Sequence, residues 1–252
     1  MRDSGCRTVY CGFESPNPAT LEAYNKHQAV EDIQESVAAF HQYGIHVHGM
    51  FVLGADTDDQ RIFQQVVDFA LENEIDTVQF LMLTPCPGTP FFERMKAEDR
   101  LLTDDWSLYD GHHCVIEPAQ MTPYQLQKGA IETMLRFYSA RRALWTLGKS
   151  LARNLPFLLS LFWRERRFRL QLPRVAFLSL LPSRWPDVLG ILKRALRRES
   201  WRRLQDVLEV PLLRLYGWHH VRQWLKQARS RAYLKSLRRL SLSQGRQATG
   251  TS

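Results

Sequence analysis

The sequence predicts an α/β fold, a parallel sheet with crossover helices, followed by an all-helical basic extension. Three observations carry this expectation. Apolar runs of strand length alternate with amphipathic helical stretches over the first ninety or so residues, an order that right-handed βαβ units satisfy. The apolar fraction of 44% and charged fraction of 24% are those of a globular chain rather than a disordered one. The formal charge of +8 divides unevenly, with nine Lys/Arg against twenty-one Asp/Glu in residues 1–140 and twenty-five against five in residues 141–252.

Taken in order, residues 8–13 (Thr-Val-Tyr-Cys-Gly-Phe) read as a mostly buried strand, followed by a polar stretch with Pro16 and Pro18. A helix is expected over residues 29–43, with Val30, Ile33, Val37 and Phe40 on one face and Gly44 as its C-terminal cap. Residues 45–53 return as a strand. Thr57-Asp58-Asp59-Gln60 has capping-box spacing and predicts a second helix, with Ile62, Phe63, Val66, Val67, Phe69 and Ala70 inward. Residues 77–83 form a third strand. Beyond Pro90 the pattern predicts a short helix at 91–96, a loop through Trp106, Tyr109 and Asp110-Gly111, a short strand at 114–116, and a helix from Thr122-Pro123 to about residue 147.

In parallel α/β architectures ligands meet the C-terminal strand ends. The first end is Gly12-Phe13-Glu14-Ser15, the second runs from Gly49 to Gly54-Ala55-Asp56, and the third is Thr84-Pro85-Cys86-Pro87-Gly88-Thr89-Pro90. Glycine admits close backbone approach, and a rim carboxylate can accept hydrogen bonds from ribose hydroxyls or an amino group. With Leu21, Asn25 and Lys26 after the first of them, these three motifs in this order resemble radical S-adenosylmethionine enzymes, in the branch often fused to a cobalamin-binding domain. The resemblance covers about residues 1–140.

It implies the C-terminal half of a partial (β/α)6 TIM-like barrel. Residues 1–98 would supply its strands four to six, 99–147 a family-specific extension and helix, 148–240 a basic helical region, and 241–252 a disordered tail. It also implies cofactor-binding roles: Glu14 and Ser15 toward the ribose or amino-acid part of S-adenosylmethionine, Gly49, Phe51 and Gly54 beside the adenine, and Pro87, Gly88 and Thr89 in the sixth-strand turn. The family's usual glutamate four residues after the second glycine is Asp58 here, expected to cap a helix instead of touching the ligand.

The family holds a [4Fe-4S] cluster through CxxxCxxC, and no such spacing occurs among Cys6, Cys11, Cys86 and Cys114. Cys6 and Cys11 would point to opposite faces of a strand, so neither is assigned as a ligand. No catalytic or metal-binding residue is therefore expected. The opening residues resemble the last turn and cap of a helix, which predicts a truncated or split form, inactive alone, completed by a separate N-terminal half-barrel polypeptide. The alternative is a non-catalytic remnant or scaffold whose basic helices bind a membrane surface or a protein partner. Cobalamin involvement stays open. His46 with His48, and His112, His113 and Cys114 with Asp110, are weaker metal candidates that lack a second ligand cluster.

The last hundred residues predict helical segments near 155–170, 175–182, 186–198, 200–215 and 218–240, separated by Pro156, Pro173, Pro182, Pro186, Pro211 and Gly217. None has the ~20 apolar residues of a bilayer span, and no secretory signal opens the chain, so a cytoplasmic protein is expected, peripheral to a membrane at most. Trp185, Trp201, Trp218 and Trp224 among arginines suit a packed core with solvated faces first and an anionic lipid surface second. Nucleic acid ranks third, because no recognised reading module is present.

Overall fold

A computed structural model describes residues 1–179, 185–226 and 228–249. The chain divides into one unit of Met1–Tyr138 with Gly217–Ser252 and a second of Ser139–Tyr216.

The first unit is built on a parallel sheet of three strands, β1 (Thr8–Glu14), β2 (His46–Leu53) and β3 (Thr77–Met82), in that spatial order. Their register sets Tyr10 beside His48 and His48 beside Thr77. Between the strands run α1 (Pro18–Ala23), α2 (Val30–Gln42) and α3 (Ile62–Glu72). The polar stretch after β1 thus holds a short helix that periodicity misses. Its signature is chemical: Asn17 accepts the Ala19 amide as cap and Pro18 occupies the first turn. Gly44 ends α2 as expected, at φ +67°, with the Gly44 amide donating to His41 and that of Ile45 to Phe40.

Period-two alternation assigns the faces of the sheet. Val47, Gly49, Phe51 and Leu53 of β2 are buried against helices, while His46, His48, Met50 and Val52 turn to a half-buried opposite face. The core joins Phe13, Phe51, Phe69, Phe80 and Phe137 to Ile33, Val37, Val66 and Leu126. Aromatic burial on this scale is the main stabilising contribution.

Two expectations about helix starts and ends change. The Thr57–Gln60 capping box does not form: α3 begins at Ile62 behind Arg61 without a side-chain cap, and the Thr57 hydroxyl is engaged with that of Thr20 at 2.8 Å instead. The single helix expected from Pro123 to residue 147 is two, α5 (Pro123–Phe137) and α6 (Ala140–Arg153). Ser139 caps α6, and Tyr138 leaves the helix so that its hydroxyl accepts from the Val78 amide at 2.9 Å and donates to the Val78 carbonyl at 2.6 Å. One hydroxyl thereby satisfies both outward groups of an edge-strand residue. Gly111 accepts the Met82 amide at 2.8 Å on β3 as well.

α4 (Pro90–Ala97) follows β3 as expected. Instead of a strand at 114–116 there is one antiparallel bridge, Leu101 to Ile116. α11 (Ala228–Thr249) returns to this unit, burying Leu237 and donating the Tyr233 hydroxyl to the Cys114 carbonyl at 2.6 Å. It runs through Ser241, where polar composition predicts no fixed structure; Ser, Gln, Arg and Ala all tolerate helix. Residues 250–252 lie outside the described ones.

The second unit holds α6, α7 (Leu155–Arg164), α8 (Arg166–Ser179), α9 (Trp185–Ala195) and the start of α10 (Arg198–Lys226). Leu161, Leu192, Leu196 and Leu204 form its core. Neither Pro173 in α8 nor Pro211 in α10 ends its helix; for Pro211, burial of Leu204, Val207 and Val210 on one face of α10 outweighs the local cost of a proline. Gly217 does not separate helices either: a β-carbon there would stand 2.5 Å from the Tyr138 ring. The break expected at Pro182 lies outside the described residues.

Tyr138→Phe keeps the ring but strands the Val78 amide and carbonyl, and is expected to lower stability by about 1–3 kcal/mol in urea unfolding. At the opposite end of the sheet from the motifs, the Asp76 carboxylate accepts the Val47 amide at 2.8 Å and lies 2.9 Å from His41 Nε2 and 3.4 Å from His46 Nδ1. Burial pushes its pKa up, but these contacts outweigh burial and hold it well below the ordinary 3.8. Its stabilisation is therefore complete above that value and is lost as pH falls through the folded one. Asp76→Asn should flatten the acid-side loss of stability measured from neutral pH to about pH 3.

Candidate functional site

The C-terminal ends of β1 and β2 are joined by one buried carboxylate. Asp58 Oδ2 accepts the amides of Gly54 and Ala55 at 3.0 and 3.1 Å, and Oδ1 accepts the Thr20 hydroxyl at 2.9 Å. Burial pushes the Asp58 pKa up, opposed by these hydrogen bonds. The residue does not cap α3; it braces the β2 exit and fastens α1 to it. Gly54 is required there twice over, by φ +99° and by Leu126, whose side chain lies 2.6 Å from where a β-carbon would be.

At the β1 exit the ladder is irregular between Gly12 and Glu14, and Glu14 takes φ +62°. A glutamate in the left-handed region is uncommon, and such strain collects at functional positions. Its Oε1 lies 2.9 Å from Lys26 Nζ, and a β-carbon on Gly12 would stand 2.7 Å from that same oxygen. Gly12 therefore makes room for the glutamate.

Tyr24 belongs to this end of the sheet and was not singled out by sequence. Its hydroxyl is buried without a hydrogen-bond partner among the described residues. Burial raises its pKa, and the negative charges of Asp58, Glu14 and Asp56 raise it further. It is a neutral donor amid carboxylates, a group that ordinarily finds a partner. Nothing in periodicity marks it, because its meaning depends on the turn that follows α1.

The other expected residues fall into distinct surroundings. Ser15 is 1% exposed, and its hydroxyl accepts the Asn17 amide at 3.1 Å, which shapes the turn. Phe51 points into the helix-packed core beside Phe13, Phe69 and Phe80. Gly49 is packed too, with Phe13, Phe51 and Ile75 where its β-carbon would be. Only their backbone is left for a ligand over the strand ends. Pro87 and Gly88 are exposed, Gly88 at φ +79° with open space around it, and the Thr89 hydroxyl caps α4 by accepting the Phe92 amide at 3.2 Å. The rim carboxylate of Asp56 is held by Arg100, which lowers its pKa.

His46 is engaged by Asp76, His48 Nδ1 by the Thr77 hydroxyl at 2.8 Å, and His113 Nδ1 by Asp110 at 2.9 Å. Among the described residues no group of three His, Cys, Asp or Glu is placed to hold a metal ion. Cys6 and Cys11 are half-buried, Cys86 is exposed and Cys114 is buried with its pKa pushed up to about 12. These residues do not fit a [4Fe-4S] cluster, which needs several clustered thiolates.

No protein-family model matches the chain. It is 37% identical over 136 residues to the bacteriochlorophyllide d C-12(1)-methyltransferase of Chlorobaculum tepidum, covering 54% of this chain and 29% of that one. Over 144 residues it is 27% identical to the bacteriochlorophyllide d C-8(2)-methyltransferase of the same organism, covering 56% and 32%. With the hopanoid C-2 methylase of Rhodopseudomonas palustris it shares 33% over 106 residues, covering 42% and 20%. Over about half its length the chain is homologous to radical S-adenosylmethionine proteins. The match spans less than a third of each of these relatives.

Asp58→Ala would leave the buried amides of Gly54 and Ala55 without their acceptor and the Thr20 hydroxyl with Thr57 alone. It is expected to cost about 2–4 kcal/mol in thermal or urea unfolding.

Proposed function

We propose that the first unit carries the S-adenosylmethionine-facing distal half of a radical S-adenosylmethionine barrel. The cluster-bearing strands would come from chain outside these 252 residues, in the same or a separate polypeptide. One observation supports this most: the strained Glu14, its Lys26 partner and the unpartnered Tyr24 hydroxyl stand together at the exit of β1, the strand at one edge of the sheet. A further strand beside β1 would close over that end of the sheet. The glutamate is placed to accept from an amino or ribose group, and Tyr24 to donate to a ligand oxygen. Lys26 fixes the glutamate's direction until a ligand replaces or shares that contact. Carbon methylation is the reaction class we assign, because the relatives quoted above are named as methyltransferases and a methylase.

The test is anaerobic reconstitution with iron and sulfide of this chain alone and of this chain with a CxxxCxxC-bearing half. We expect no cluster absorbance from the chain alone, and both absorbance and reductive cleavage of S-adenosylmethionine from the pair. In the pair, Glu14→Gln and Tyr24→Phe should each raise KM for S-adenosylmethionine about tenfold while leaving the absorbance intact. A cluster on this chain alone, or a loaded pair that never cleaves S-adenosylmethionine, overturns the reading; the latter favours a non-catalytic scaffold.

A further inference from the structure

Unit Ser139–Tyr216 exposes apolar surface where a packed helix would show polar residues. In α7 the core side is Phe157, Leu158 and Leu161, the last 2% exposed. The other side is Leu155, Leu159, Phe162 and Trp163, at 52%, 51%, 40% and 74% exposure. Their spacing of four, three and one residues puts these four within about a third of the helix circumference. α6 repeats the arrangement, with Leu144, Trp145 and Leu151 exposed at 60%, 68% and 36%. Large apolar faces of this kind mark interaction sites.

The surrounding charge is of one sign. Residues 139–170 contain eight arginines and lysines and a single acid, Glu165. That acid is 9% exposed, accepts the Ser200 hydroxyl at 3.1 Å and lies 3.7 Å from Arg197 Nε, so it does little to offset the cations outside. Arg153 and Arg164 are both exposed, at the last turns of α6 and α7, and Lys149 Nζ lies 6.0 Å from the centre of the Trp145 ring. Among the described residues no helix is long and apolar enough to cross a membrane. An apolar helix face with tryptophan at its margin and arginine around it matches a helix lying in the plane of a bilayer interface.

We infer that α6 and α7 form a docking surface for an anionic lipid bilayer, with Leu155, Leu159, Phe162 and Trp163 entering the acyl boundary and the flanking cations meeting headgroup phosphates. Two other occupants fit less well. A nucleic acid would satisfy the cations but leave the four exposed aliphatic and aromatic side chains of α7 against phosphate and sugar. A second copy would bury the apolar faces but bring two cationic surfaces together. The inference does not depend on the S-adenosylmethionine reading.

The test is co-sedimentation of the full 252-residue chain with vesicles of phosphatidylcholine alone and of phosphatidylcholine with phosphatidylserine. We expect partition to the anionic vesicles only, weakened by salt. Leu159→Gln with Trp163→Gln should weaken it at least about tenfold, while Tyr43→Gln, an equally exposed aromatic on the other unit at 67%, leaves it unchanged. Both α7 side chains are exposed, so an unaltered unfolding midpoint certifies the fold of the double variant. No partition to anionic vesicles, or equal partition by the double variant, overturns the inference. So does tighter binding to duplex DNA that the double variant retains, or a dimer in solution that the double variant dissociates.

Discussion

The carboxylate of Asp58 is the interaction on which the ligand-facing end of the sheet depends. It gathers the Gly54 and Ala55 amides of one strand exit and the Thr20 hydroxyl of the helix that follows another. Burying a carboxylate is expensive unless its oxygens are occupied, and here three donors occupy them. With that anchor in place α1 ends where Tyr24, Asn25 and Lys26 can turn back over β1. The Glu14 contact to Lys26 rests on that turn.

Strands, crossover helices and their inward residues were legible in the sequence because burial imposes a period, and Ile33, Val37, Val66 and Phe69 all fall where that period puts them. Local punctuation was legible where its chemistry was used locally, as at Gly44 and at Thr122, whose hydroxyl and backbone form a reciprocal cap with Gln125. It misled where a side chain was needed at long range. Thr57 opens a capping-box pattern but its hydroxyl is engaged with Thr20, thirty-seven residues away, and Tyr138 sits in the middle of a helical pattern but leaves it to reach Val78, sixty residues away in sequence. Ser139, a good cap residue directly after it, was the one local sign of that break.

The site was legible as a set of strand ends and less so as a set of contacts. Motif position cannot distinguish Glu14, whose side chain is held at the rim, from Ser15 or Phe51, whose side chains are turned into the fold. Alternation along a strand predicts which way Phe51 points, but the irregular step at Glu14 breaks that alternation where the chemistry lies. Tyr24 had no sequence mark at all, since an orphaned hydroxyl exists only in three dimensions.

The two borders of the sheet are not equivalent. On β3 the outward groups of Val78 are taken by Tyr138 and the Met82 amide by Gly111, whereas β1 pairs only with β2 among the described strands. A sheet with two bare borders can recruit copies of itself indefinitely, which is the route to fibres. This one has a stopper on one side. Edge-to-edge misassociation is therefore directed to β1, because the β3 border already spends the groups of Val78 and the Met82 amide within its own chain.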